Sequence, residues 1–139
     1  MVTKEYIDKL MNESIGTEHW FRREPFKCFV YTDGIMRVQQ ELGMYWFVDM
    51  VLSYIPKVIK DFEENKKSFY TVELKVKSDH TSRFTISREL TDDEGNYIDW
   101  NVVKQDIEFT DLPECEMKFY LDLVKETPIT FCLLCPSEY

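Results

Sequence analysis

Near residue 68 the hydrophobic period of the chain changes, and that change narrows the folds open to it. In FYTVELKVK, residues Tyr70, Val72, Leu74 and Val76 face one way, and Thr71, Glu73, Lys75 and Lys77 face the other. Alternation of this kind marks a half-buried strand. RFTISREL continues it through Phe84 and Ile86, and NVVKQDIEF, CEMKFYLDLV and ITFCLLC predict three further strands. SDHTS and the acidic TDDEGN predict turns, and KETP suits the last hairpin.

Before residue 68 the apolar residues recur at helical spacing. Thr3 is a suitable N-cap for a helix over 3–13 that carries Tyr6, Ile7 and Leu10, with Gly16 ending it. GTEHWFRREPFKCFVYTDG, broken by Pro25, predicts an irregular or short-strand connection. Asp33 and Gly43 bracket GIMRVQQELG as N-cap and C-cap. MYWFVDMVLSYI is apolar on nearly every side and predicts a central, buried helix with one carboxylate, Asp49. Pro56 predicts a kink or a new, polar helix over PKVIKDFEENKK.

The expectation is an α+β fold, with N-terminal helices packed on one face of a mostly antiparallel sheet of about five strands. The 139 residues suit a single domain, helical over about 1–67 and strand-rich over about 68–139. Four glycines are few for a phosphate-cradling nucleotide fold. A net charge of −9 disfavours direct binding to nucleic-acid phosphates and favours a protein partner, basic in character. The charged opening VTKEYIDKLMNE shows no signal peptide, and no run is apolar and long enough for a membrane span. A cytoplasmic location with reduced thiols follows as an expectation.

Five features invite a chemical reading. Cys132-x-x-Cys135 has zinc-knuckle spacing, with Cys28 and Cys115 as further thiols. Strand residues three apart point to opposite faces, so this pair cannot converge on one metal, and no metal or cofactor is expected. TEHWFRRE places Glu18, His19, Arg22 and Arg23 around an aromatic pair. Glu18 and His19 with Asp33 would make an acid–base site, and the arginines would hold a carboxylate or phosphate. No nucleophile is fixed by spacing, and Asp33 already has a capping role. TDDEGNYID lacks calcium-loop spacing and reads as a solvated hairpin tip. Asp49 either pairs with Arg22, Arg23 or Lys57 or lies on a wet edge of its helix. Tyr139 either frays with the short tail or docks on the body.

YTDG ahead of a helix, GMYWFVDMVLSY, DIEFTDLP and the closing PSEY together resemble a family of uncharacterised small bacterial proteins found in genomes and on phages and plasmids. The likeness runs from about residue 16 to 139. It implies matching positions at TEHWFR, Tyr31, Thr32, Asp33, Gly34, Tyr45, Trp46, Asp49, Thr110, Asp111, Pro113 and PSEY. It also implies aliphatic residues ahead of PSEY, from which Cys132 and Cys135 depart. It implies no activity. The mobile-element association implies an accessory role directed at a host protein, in the host cytoplasm.

The sequence thus points to a non-catalytic interaction protein with an acidic and aromatic surface. Glu18, His19, Arg22, Asp33, Tyr45, Trp46, Asp49 and Tyr139 are its candidate binding residues. The alternative is a small-ligand binder or hydrolase-like enzyme with a pocket around TEHWFRRE, lined by Glu18, His19, Arg22, Asp33 and Tyr45. A homodimer through an edge strand or aromatic patch is the third expectation.

Overall fold

The computed structural model describes residues 2–13, 20–22 and 26–139. The elements in chain order are α1 (Lys4–Glu13), β1 (Trp20–Arg22), β2 (Phe29–Thr32), α2 (Asp33–Leu42), α3 (Tyr45–Asn65), β3 (Phe69–Val76), β4 (Ser82–Thr91), β5 (Tyr97–Ile107), β6 (Cys115–Glu126) and β7 (Ile129–Leu134). A 3₁₀ turn over Pro136–Glu138 closes the chain.

The class is α+β, as the change of period predicts, but the sheet has seven strands rather than about five. Their order is β1-β2-β7-β6-β3-β4-β5. The two extra strands lie in the stretch read as a connection. All four residues of β2 are buried, so it shows no alternation. It sits between β1 and β7, and its pairing with β7 is parallel, which makes the sheet mixed. Buried parallel strands read as plain apolar runs, and a run of four carries little signal.

Helix α3 lies across the sheet. Phe47, Val48, Val51, Ile55 and Val58 form its buried stripe. Phe47 meets Phe84 and Phe119, and Phe62 meets Phe131, all in edge-on or tilted ring contacts. The helix is not apolar all round, as its sequence suggested. Tyr45, Asp49 and Ser53 face water, because the sheet covers one side only. Pro56 does not start a new helix; one helix runs through it to Asn65. Proline removes one backbone donor, and burial of Val51, Ile55 and Val58 on either side of it holds the turn. Two caps match expectation: the Tyr6 amide donates to the Thr3 hydroxyl, and Gly43 takes the left-handed conformation after α2. The N-cap of α2 is Thr32, with Asp33 the first helical residue.

The buried carboxylate of α3 is Asp61, not Asp49. Asp61 and Arg88 side chains are 11% and 6% exposed, with 2.7 Å between Oδ2 and Nε. The Tyr70 hydroxyl donates to the same oxygen at 2.8 Å, and Asn65 Nδ2 donates to Oδ1 at 2.9 Å. Burial, then the hydrogen bond to Asp61, pushes the Tyr70 hydroxyl pKa upward, so it stays protonated and donating. Both charges lie on buried stripes legible in the sequence: Asp61 follows Val58 by three, and Arg88 follows Phe84 and Ile86 in phase.

Removing one partner of this pair leaves a buried charge. Asp61→Ala is expected to lower unfolding free energy by about 3–5 kcal/mol, whereas Asp61→Leu with Arg88→Met recovers most of it. Urea titration of the variants checks this; equal stability of Asp61→Ala and wild type would contradict it.

Candidate functional site

The candidate residues fall into separate places. Glu18 and His19 lie outside the described residues, as do Arg23 and Pro25. Arg22 is exposed on β1, across the ladder from Val30. Asp33 opens α2. Tyr45 and Trp46 open α3 at its other end. Trp46 packs edge-on to Phe47 and lines a groove of about 290 Å³ with Gly43, Ile107, Phe109 and Thr110. Asp49 is exposed. Neither that groove nor the larger polar concavity described below is lined by Arg22, Asp33 or Tyr45.

What the structure does bring together is YTDG and PSEY. The Thr32 hydroxyl donates to Glu138 Oε1 at 2.6 Å and accepts from the Ile35 amide at 3.4 Å. Glu138 Oε2 accepts from the Gly34 amide at 3.0 Å, and Oε1 accepts from the Cys135 amide at 3.0 Å. One carboxylate from the last turn thus satisfies the open Gly34 amide at the start of α2, where a negative charge is favoured. Ser137 Oγ donates to the Met11 carbonyl at the end of α1, at 2.8 Å. The Tyr139 ring meets Phe69 and Tyr120 at centroid distances of 5.2 and 5.5 Å. The tail therefore docks, and each residue of Ser137–Tyr139 holds a different element. This arrangement fastens the end of the chain to α1, α2 and the sheet.

The thiols are free. Cys135 packs in the core with Phe131 and Leu133, while Cys132 belongs to the opposite face, in register with Val30 and Asp122. Burial pushes the Cys132 thiol up to about 12, and it raises Cys135 and Cys115 as well. Among the described residues no three His, Cys, Asp or Glu side chains are placed to hold a metal ion.

The most distinctive exposed surface is one that the sequence reading passed over as a solvated tip. Pairing of β4 with β3 ends at Ser87, but pairing of β4 with β5 continues to Thr91. Residues 88–91 and 97–100 are thus laddered only to each other, as a two-stranded arm. A register shift between Ile86 and Ser87 leaves Val102 unmatched and marks the arm's root. Asp92 organises the tip by accepting from the Glu94 and Asn96 amides at 2.9 and 2.8 Å. Gly95 takes a φ of 86° there, which glycine adopts at no steric cost. The arm carries Tyr97, 77% exposed, and Trp100, 50% exposed, with Ile98 exposed between them. Trp100 and Ile98 stand two apart in a strand, so they share a face; that spacing was the available signal. At the arm's base lies a polar concavity of about 420 Å³, whose walls include Lys66, Lys67, Phe69, Arg88, Glu89 and Asp99.

A family model, DUF6876, described as a family of unknown function, matches residues 5–139. No curated protein and no solved structure matches the chain.

Two outcomes follow from this geometry. Glu138→Ala and Thr32→Val are each expected to cost about 1–3 kcal/mol. Together they are expected to cost less than the sum, because both remove the Thr32–Glu138 bond. A double-mutant cycle by chemical denaturation measures this, and strict additivity would contradict it. Second, iodoacetamide at about pH 8 should modify half-buried Cys28 in the native protein and spare Cys115, Cys132 and Cys135 until denaturant is added. Mass spectrometry of the labelled chain reads the sites.

Proposed function

The chain belongs to the DUF6876 family, whose function is unknown, and from that premise we propose that it is a non-catalytic interaction protein. The observation that carries this reading is the β4–β5 arm. An isolated two-stranded ribbon is marginally stable in water. This one holds Tyr97, Ile98 and Trp100 in solvent rather than in the core. Aromatic residues of this kind are the usual anchors of protein interfaces. The Asp61–Arg88 pair fastens the arm's root, so the anchors project from a fixed base.

The net charge of −9 adds a preference for a basic protein surface. On this reading the protein works in the cytoplasm. The likeness to small phage and plasmid proteins extends it to an accessory factor of a mobile element, directed at a host protein. No helix among the described residues is long and apolar enough to cross a membrane.

The test compares wild type with Tyr97→Ser/Trp100→Ser as bait in cytosol of the native cell. Both positions are exposed, so the variant is expected to melt within a few degrees of wild type. The expected result is a partner recovered with wild type and lost with the variant. An unchanged set of recovered proteins would overturn the arm as the docking element.

A further inference from the structure

The groove beside Trp46 combines aromatic walls with negative charge that nothing neutralises. Trp46, Phe109, Ile107, Leu42, Gly43 and Asp111 line its volume of about 290 Å³. Trp46 is half-buried and Phe109 is 66% exposed. A lone exposed aromatic needs no explanation, but two on one concavity offer a ligand two rings. Trp46 and Asp61 sit near opposite ends of α3, roughly 20 Å apart along its axis, so the groove is a separate place from the arm's root.

The charge on the groove has one sign. Asp111 takes no hydrogen bond or ion pair from a described residue. Among the described residues no Lys, Arg or His lines the groove. Leu42 and Gly43 place it at the C-terminal end of α2, where the helix dipole is negative, and no basic residue stands in that last turn. The adjoining hollow shares Ile107 and holds Lys77 and Arg83, but Asp106 and Glu108 line it too, and Arg83 lies 2.9 Å from Asp106. The wall after β5 is held in place. The Thr110 amide donates to the His80 carbonyl at 2.9 Å, and His80 Nδ1 donates to the Leu112 carbonyl at 3.2 Å. The His80 ring meets Phe109 at a centroid distance of 5.7 Å without lining the groove.

We propose that this groove binds the alkylated ammonium head of a small organic cation. Aromatic rings attract such a head through their π faces. Asp111 and the end of α2 supply the opposite charge. An anion would meet both as like charge. A metal ion fits poorly, since the groove offers one carboxylate and no set of three donors among the described residues. The size of the groove also selects its occupant. It covers a head group, but only a small part of the roughly 1,200–2,000 Å² that a specific protein interface buries. The ligand is therefore a free small molecule.

The probe is choline, titrated into the full chain at about pH 8, where imidazoles are neutral. Indole N–H resonances follow the binding, each assigned with a single Trp→Phe variant. The chain has three tryptophans, and Trp20 and Trp100, 58% and 50% exposed, serve as internal controls. The expected result is a saturable shift of the Trp46 indole while the other two stay. The neutral isostere of choline, with a tert-butyl group in place of the trimethylammonium, should bind at least about fivefold more weakly. Phe109 and Asp111 are exposed, so Phe109→Ser and Asp111→Asn should keep the wild-type melting temperature. Each should weaken choline binding about three- to tenfold. The proposal is overturned if the Trp46 indole does not shift, if all three indoles shift together, or if the neutral isostere binds as tightly. Wild-type affinity in both variants would overturn it as well. A trimethyllysine peptide that binds more than about tenfold tighter than choline would assign the groove to a protein side chain, and would overturn it too. The outcome is independent of the arm, which none of these measurements alters.

Discussion

The parallel pairing of Phe29–Tyr31 with Phe131–Leu133 joins the two ends of the chain, and the placement of α1 and α2 depends on it. Closing a loop of that length costs roughly 4 kcal/mol of chain entropy. A four-residue strand offers few hydrogen bonds against such a cost. The Glu138 carboxylate strengthens the joint by accepting from Thr32, Gly34 and Cys135 at once. Because this carboxylate also caps α2, it ties the start of that helix to the end of the sheet. The Ser137 bond to Met11 extends the same joint to α1.

In the same core, α3 supplies the second anchor. Its Phe47 end packs into an aromatic cluster, and its Asp61 end carries a charge into the protein. A buried ion pair adds little net stability over an apolar pair. Here it stands at the point where β4 leaves β3 and the arm begins. A packed apolar residue at position 88 would fill the space without the directional bond to Asp61, which Tyr70 and Asn65 hold in place. The site we favour for binding is therefore exposed at its tip and rigid at its root, which suits an element that docks without first having to order itself.

Several elements were legible because their physics is local. Thr3, Gly43, the alternation of β3 and the turn at Gly95 each depend on a few neighbouring residues. Others were hidden because their reasons lie elsewhere in the chain. Strand β2 exists through a partner about a hundred residues away and β1 pairs only with β2, and Thr32 displaced Asp33 as the cap partly because Glu138 engages its hydroxyl. Of the candidate binding residues, Tyr139 was identified with docking on the body among its readings. Asp49 proved to be on the wet side of its helix, and the buried role went to Asp61. The arm was missed because a hairpin tip rich in Asp and Glu looks the same in sequence whether its aromatic flank is covered or bare.

What the sequence determined by itself is the class: helices first, then an alternating sheet, on an acidic chain with few glycines. Period, caps and charge act over a handful of residues and are written there directly. Only the tertiary structure decided that the sheet has seven strands, that the two end motifs meet in one carboxylate, and that Tyr97, Ile98 and Trp100 stand free. Each of these depends on which distant segment arrives alongside, and a side chain's burial is set by that neighbour rather than by its own identity.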